Sequence, residues 1–330
     1  METFPDIYFL PEWGRAYEVK EKGGELRRFE LKNEIGHVYY QFIVRKTPVQ
    51  TDEQEYYDTI TPFGFSGPVI LKCLPNRRKE LSKIFDEAFQ KYCLENHIVT
   101  EYVRFNGWIN NLNDFEDFYK TRNHGTTVFI DLTGEDFFRD EFSSNTRRKV
   151  RKAQKNNVEV EIDYTGATSH EFCRLYAMMV KKNDVTNEYY QFSEGFIRES
   201  FNYLNGKQFL INAKYEGKYI SSILIIHHGD SLHYHLAAND PDYFHLEGSS
   251  FLTFEACRWG VENGKKTFHL GGANDDENLH RFKMGFTKSE PLELLIGMKI
   301  RNHEAYKELV TIREKMTEPL YEGYFPLYRG

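Results

Sequence analysis

Between Lys207 and Ala238 three β-rich runs, KQFLINAKY, KYISSILIIHH and SLHYHLAA, follow one another across the two-residue turns Glu216-Gly217 and Gly229-Asp230. Strands joined by two residues have almost no option but to pair antiparallel, so this segment is predicted to form a three-stranded meander. Its flanks extend the pattern. VEVEIDY reads as a strand, and Thr168 with Glu171 makes a capping box for a helix bearing Phe172, Leu175, Tyr176 and Met179 on one face. Ser193 is positioned to cap a second helix that stops near Gly206. After the meander come a helix over about 249–263, ended by Gly264, then strand KTFHL, a short helix near Glu277 to Lys283, and strand LELLIGMKI. The predicted order is βααβββαβαβ, an α/β (α+β) arrangement on a mixed sheet.

The first half is also α/β. LRRFEL and HVYYQFIV read as a hairpin, and TPFGFSGPV as a structured loop. Leu81, Ile84, Phe85, Ala88, Phe89 and Tyr92 keep the spacing of one buried helical stripe, followed by strands HIVTEYVRF and TTVFIDLT. The charged segment EDFFRDEFSSNTRRKVRKAQKNN is read as a bridge. A chain of 330 residues suits two modules of ordinary size. They are placed at 1–140 and 141–300, with residues 301–330 packing back on the first.

Composition narrows the function classes. With 27 Phe and 22 Tyr the chain has ample apolar surface to fold around, and a net charge of −7 argues against a wholly nucleic-acid-coated surface. No duplex-binding surface is expected. No apolar run approaches a membrane span, and METFPDIYFLPEWGR lacks the features of a signal peptide, so a cytoplasmic protein is expected. Cys73, Cys93, Cys173 and Cys257 lie far apart and read as reduced core residues. His227, His228, His233, His235 and His245 carry no metal-ligand spacing, so no metal site is expected. His233 and His235 alternate to one side of their strand. His235 or Tyr234 can accept a proton if they line a cleft.

Three segments admit a chemical reading beside a bland one. HLEGSSF places Gly248, Ser249 and Ser250 at a helix start, which is either a serine-capped end or a seat for an anion on backbone N–H groups. SSNTRRKVRKA sets Arg147 and Arg151 four apart, either on a solvated helix face or as two planar forks for a phosphate. FHLGGANDDENLHRFKMGF ends a strand on Gly271-Gly272, offers Asn274, Asp275 or Asp276 as a cap, and holds Lys283 beside Phe282 and Phe286. That lysine either snorkels to water or is a charge held against aromatic rings.

Taken together, TPFGFSGPV, the SSNTRRKVRKA helix, HYHLAA, the Gly248 helix start, and FHLGG followed by RFKMGF resemble the FemABX aminoacyltransferases and the wider FemAB-like GNAT N-acyltransferases. The resemblance covers nearly the whole chain. It implies two tandem GNAT-like domains, the first degenerate, with a substrate channel between them. It also implies transfer of an acyl or aminoacyl group from an activated ester or thioester to an amine of a small-molecule or lipid- or nucleotide-linked, phosphate-bearing envelope precursor. No tightly bound cofactor is implied; acyl-CoA or aminoacyl-tRNA serves as co-substrate, so charged tRNA is a candidate partner. The same resemblance puts Phe282 and Lys283 at the reacting centre with His235 and Tyr234 nearby. Donor contacts fall at Leu236, Ala237, Gly248, Ser249 and Ser250, and acceptor contacts at Arg147, Arg151, Phe65 and Gly67. His-x-x-Gly-x-Ser departs from the Q/R-x-x-G-x-G/A loop of CoA-dependent members. The competing class is a noncatalytic GNAT-fold binding or scaffold protein.

Overall fold

A computed structural model describes residues 3–182, 191–273, 276–316, 320–321 and 323–330. The chain divides into two compact units, residues 1–124 with 293–330, and residues 125–292.

In the first unit, strands β1 (Glu25–Lys32), β2 (Gly36–Lys46), β3 (Tyr57–Ile60) and β5 (Ile98–Arg104) follow one another across the sheet, with β4 (Val69–Cys73) also on β2. The predicted hairpin forms with Glu25 opposite Val44 and Lys32 opposite His37. The short helix α1 (Pro11–Tyr17) opens the unit. Helix α2 (Arg78–Glu95) lays Leu81, Phe85, Phe89 and Cys93 on Tyr40, Phe42, Ile98 and Val103, as its periodicity predicts.

The second unit uses part of β6 (Lys120–Asp131), then α3 (Phe137–Asp140), α4 (Ser144–Lys155), β7 (Glu159–Asp163), α5 (Ser169–Lys182), α6 (Glu194–Tyr203), β8 (Gln208–Tyr215), β9 (Lys218–His228) and β10 (Ser231–Asn239). It continues with α7 (Gly248–Glu262), β11 (Thr267–Gly271) and α8 (Glu277–Met284). The meander forms as predicted, β8 to β9 to β10 antiparallel. Glu216 and Gly217 both take positive φ, which a tight hairpin turn requires. Strand order is β6-β11-β10-β9-β8-β7, with β11 parallel to β10 and antiparallel to β6.

Three expectations are corrected. The break between units falls at 124/125 rather than 140/141, because Val128 to Asp131 of β6 pair with β11. Conversely, LELLIGMKI, now β12 (Leu292–Ile300), pairs antiparallel with β5 of the first unit, Ile296 opposite Arg104. The charged segment around α4 is not a bridge: Val150 and Ala153 are buried in the second unit's core. Thr168 does precede α5, its carbonyl accepting from the Phe172 N–H at 3.1 Å, but its hydroxyl is turned to other partners than the capping box. Its hydroxyl donates to Asp163 (2.8 Å) and accepts from Asn212 (3.0 Å). The Asp163 carboxylate also takes the Thr165, Gly166 and Thr168 N–H groups, and these bonds hold it down to about 2 despite burial.

Residues 301–330 lie with the first unit. Helix α9 (His303–Glu314) buries Ala305 and Leu309 beside Val49, Val99 and Tyr328, and the Tyr328 hydroxyl meets Thr100 Oγ1 at 2.7 Å. Among the described residues no helix is long and apolar enough to cross a membrane.

Candidate active site

The site begins with two strands that stop pairing. β10 and β11 run parallel only from Ser231–His233 against Thr267–His269. Immediately beyond, each is irregular: β10 slips register against β9 between Tyr234 and Leu236, and β11 slips against β6 between His269 and Gly271. An extra residue bends its strand and re-aims side chains. Here the two bends coincide, the strands part, and a cavity of ≈ 710 Å³ opens in the second unit. The β10 slip also puts Tyr234 and His235, neighbours in sequence, on the same wall, where strict alternation would have separated them.

Of the residues singled out above, Tyr234, His235, Leu236, Ala237, Gly248, Ser249, Ser250, Phe282 and Lys283 all line this cavity. His233 instead is buried and stacked on His269, ring centroids 5.0 Å apart. Among the described residues no group of His, Cys, Asp or Glu side chains could hold a metal. Arg147 and Arg151 are not among the cavity walls. Arg147 donates to the carbonyls of Arg139 (3.1 Å) and Phe142, and Arg151 lies over the Phe138 ring, 5.7 Å from its centroid. The α4 cation that does line the cavity is Lys149, paired with Glu247 at 3.3 Å. Phe65 and Gly67 belong to the first unit. There the Phe65 ring packs edge-on to Trp108, and a Cβ on Gly67, at φ +91°, would stand 2.8 Å from Val103.

Lys283 is no snorkelling side chain. It lies in the last turn of α8 and is 7% exposed, and its ammonium donates to the Gly272 carbonyl. Asp276 caps α8 by accepting the Asn278 and Leu279 N–H groups; Asn274 and Asp275 lie outside the described residues. Phe282 meets Phe286 edge-on at 5.0 Å, and Phe286 meets Phe142 at 5.1 Å, so α8 is fixed by aromatic packing. A smaller polar hollow of ≈ 440 Å³ shares Lys149, Ser250 and Phe282 and adds Asn145, Asn278 and Arg281.

Residues 137–284 match the family described as acetyltransferase (GNAT) domain. Over 183 residues the chain is 25% identical to the UDP-N-acetylmuramoylpentapeptide-lysine N(6)-alanyltransferase of Weissella viridescens, a match covering 52% of this chain and 51% of that enzyme. The chain thus spans about half the length of this curated relative. The crystal structure of FemX superimposes with a TM-score of 0.71 at 14% identity, covering 93% of this chain and 96% of that one. The chain carries a GNAT-type domain and is similar in fold to FemX. A tandem GNAT protein from the clavulanic acid biosynthesis pathway shares the fold at a TM-score of 0.50 and 7% identity, over 87% of this chain and 88% of that one.

Within this FemABX-like fold, burial sets the electrostatics of the cavity. It lowers Lys283 to about 8, so the ammonium still predominates at neutral pH. It lowers His235 to about 3, with His233 adding to the effect, leaving a neutral and weakly basic imidazole. It raises Tyr234, whose phenol keeps its proton. Tyr234 can therefore donate a proton or hydrogen bond, and neither group is a strong base at neutral pH.

The start of α7 combines packing with polarity. Its N-cap residue, Glu247, sits at φ 60° and makes no side-chain capping bond. The hydroxyls of Ser221 (2.6 Å) and Ser249 both donate to Asn239 Oδ1. A Cβ on Gly248 would stand 3.1 Å from the Ser221 Cβ, so glycine lets α7 close on β9. Gly248→Val is consequently expected to lower stability by about 1–3 kcal/mol through overpacking, read as a drop in the denaturant midpoint. A midpoint within error of the parent would show that β9 yields freely there.

Sequence reasoning missed Lys149, Asn239 and Glu247. The helical spacing was available for Lys149, since it stands three residues from the buried Thr146 on α4.

Proposed function

We propose that the protein is an N-acyltransferase that moves an aminoacyl or acyl group from an activated ester or thioester to an amine of a phosphate-bearing envelope precursor. The observation that carries this reading is a buried cation, Lys283, at the wall of a cavity opened by two parting strands. In the reaction the neutral amine attacks the donor carbonyl and forms the C–N bond. Negative charge gathers on the carbonyl oxygen, the C–O or C–S bond breaks, and the amine loses a proton while the leaving group gains one. Lys283 is assigned to the developing oxyanion, and Tyr234 to the departing oxygen or sulfur. No covalent enzyme intermediate is needed.

An aminoacyl ester is favoured over acyl-CoA as donor. A pyrophosphate resting on the Gly248–Ser250 N–H groups would meet the Glu247 carboxylate, held beside it by Lys149. Acceptor phosphate is assigned to Arg281, whose hollow has no carboxylate among its described walls, in place of Arg147 and Arg151.

The test is a transfer assay with UDP-N-acetylmuramoyl-pentapeptide as acceptor and either alanyl-tRNA or acetyl-CoA as donor, followed by mass spectrometry of the acceptor. The expected result is gain of one aminoacyl mass with the tRNA donor. No mass gain with either donor, by protein shown to be folded, would defeat the reading. Acetyl transfer would retain the acyltransferase and reverse the choice of donor. Tyr234→Phe is expected to lower kcat by roughly 10- to 100-fold with KM little changed, the low end for loss of a general acid because water can replace the hydroxyl. An unchanged kcat would remove Tyr234 from the mechanism.

A further inference from the structure

Among the described residues two amines line the cavity of the second unit, Lys149 and Lys283, and they are held in opposite ways. Lys149 is paired with the Glu247 carboxylate at 3.3 Å, and its side chain is 34% exposed. Lys283 is buried, and its nitrogen donates to the Gly272 carbonyl with no carboxylate paired to it among the described residues. A carbonyl accepts from an ammonium, a neutral amine or an amide N–H alike. Nothing in this setting reserves the nitrogen for its charged form. Burial favours the neutral form instead and lowers the group to about 8, so roughly a tenth is neutral at pH 7, against less than about a thousandth of an ordinary lysine. The neutral amine is the nucleophile.

The approach to that nitrogen is also open. β11 ends on Gly271 at φ +73°, where a side chain is disfavoured, and a Cβ there would stand 3.7 Å from Lys283 Nζ. Gly272 follows, and both glycines line the cavity with Lys283. Bare backbone therefore lies beside the nitrogen where a side chain would have covered it. Leu236, Leu270 and Phe282 on the same walls give an acyl group an apolar seat.

We propose that Lys283 is a self-acylation site: an activated ester or thioester that occupies the cavity without an acceptor amine transfers its acyl group to the Lys283 nitrogen. The neutral amine attacks the carbonyl carbon and the C–N bond forms. The C–O or C–S bond then breaks, its electron pair leaving on oxygen or sulfur, and the proton lost by the nitrogen goes to that leaving group. The product is a neutral amide whose remaining N–H still has the Gly272 carbonyl as its acceptor. Acylation removes a charge, here a buried one that is costly to keep, so the fold opposes it less than at an ion-paired lysine. It also fills the cavity and takes away the cation assigned to the oxyanion, so transfer is switched off when donor outruns acceptor. The switch rests on the function proposed above; the modification itself does not.

Treatment of the full chain with p-nitrophenyl acetate at pH 7 tests the site, read by intact mass, peptide mapping and nitrophenolate release. One acetyl group should appear on Lys283 at least about 10-fold faster than on Lys149 or any other lysine. That advantage should vanish in urea-unfolded chain. The fast phase of nitrophenolate release should be lost in Lys283→Arg, whose guanidinium stays protonated. Lys283→Met supplies the same control if circular dichroism shows the arginine variant unfolded. Acylation of Lys283 no faster than of surface lysines, or a fast phase that survives in both variants, overturns the inference, even in a protein that transfers alanine. Acylation of Lys283 in a protein that modifies no acceptor upholds the site and defeats the proposed function instead. For the switch, alanyl-tRNA without acceptor should leave one alanyl mass on the same residue, and the transfer rate should fall in proportion to the fraction of Lys283 acylated. Full transfer by acylated protein, or no alanyl mass on a protein that does transfer alanine to an acceptor, overturns the switch.

Discussion

Lys283→Met is expected to reduce turnover roughly 100- to 1,000-fold, the cost of losing one good oxyanion donor, in a protein at least as stable as the parent. The two halves of this result have one cause. Lys283 is 7% exposed and donates to the Gly272 carbonyl, and no carboxylate pairs with it among the described residues. Burial therefore lowers it from 10.5 to about 8. Between these values the unfolded chain binds the proton and the folded chain does not, so stability rises with pH across that window. Below pH 8 the charged lysine costs up to about 3 kcal/mol, and methionine removes the charge while keeping most of the stem's packing. The variant should gain stability at pH 7 and lose its advantage near pH 10.5, read as paired denaturant midpoints. Parent turnover should also fall as pH rises through about 8 and the cation is lost. Near-parent turnover by Lys283→Met would leave the lysine without a catalytic role, whatever happened to stability.

A residue that costs stability where it stands is what sequence patterning is well placed to flag. Lys283 lies between Phe282 and Met284, and that local conflict was visible before any coordinate. The βααβββαβαβ order was legible for the opposite reason: turn chemistry at Glu216-Gly217 and Gly229-Asp230 and the Ser193 cap agree with the periodicity around them. Features set by distant chain were not legible. The slips at His235 and Leu270 depend on β9 and β6, so nothing local marks them. Arg147 and Arg151 do share a helix face, but that face is filled by Phe138 and by the carbonyls of Arg139 and Phe142. The unit boundary moved for the same reason, since the partners of β6 and β12 lie more than a hundred residues away.

The first unit should be most sensitive at Arg301, just past β12. Its side chain and that of Glu101 on β5 are both fully buried and paired, and a second guanidinium nitrogen lies 2.9 Å from Asp86. The same group stacks over Phe89 at 5.1 Å, while Tyr119 donates to the other Glu101 oxygen at 3.1 Å. Arg301→Met preserves much of the volume but strands the carboxylate, and breaking one side of a buried pair typically costs about 3–5 kcal/mol. Glu101→Gln added to Arg301→Met should restore part of that loss, because the remaining charge is gone. Two units need not unfold together, so the measurement needs a local probe. In a Trp259→Phe background the remaining tryptophans are Trp13 and Trp108, both in the first unit, and their fluorescence in urea reports its midpoint. A loss below about 1 kcal/mol, or no recovery in the double variant, would show that the pair contributes no more than ordinary packing and that α2 and β12 are held by their apolar contacts alone.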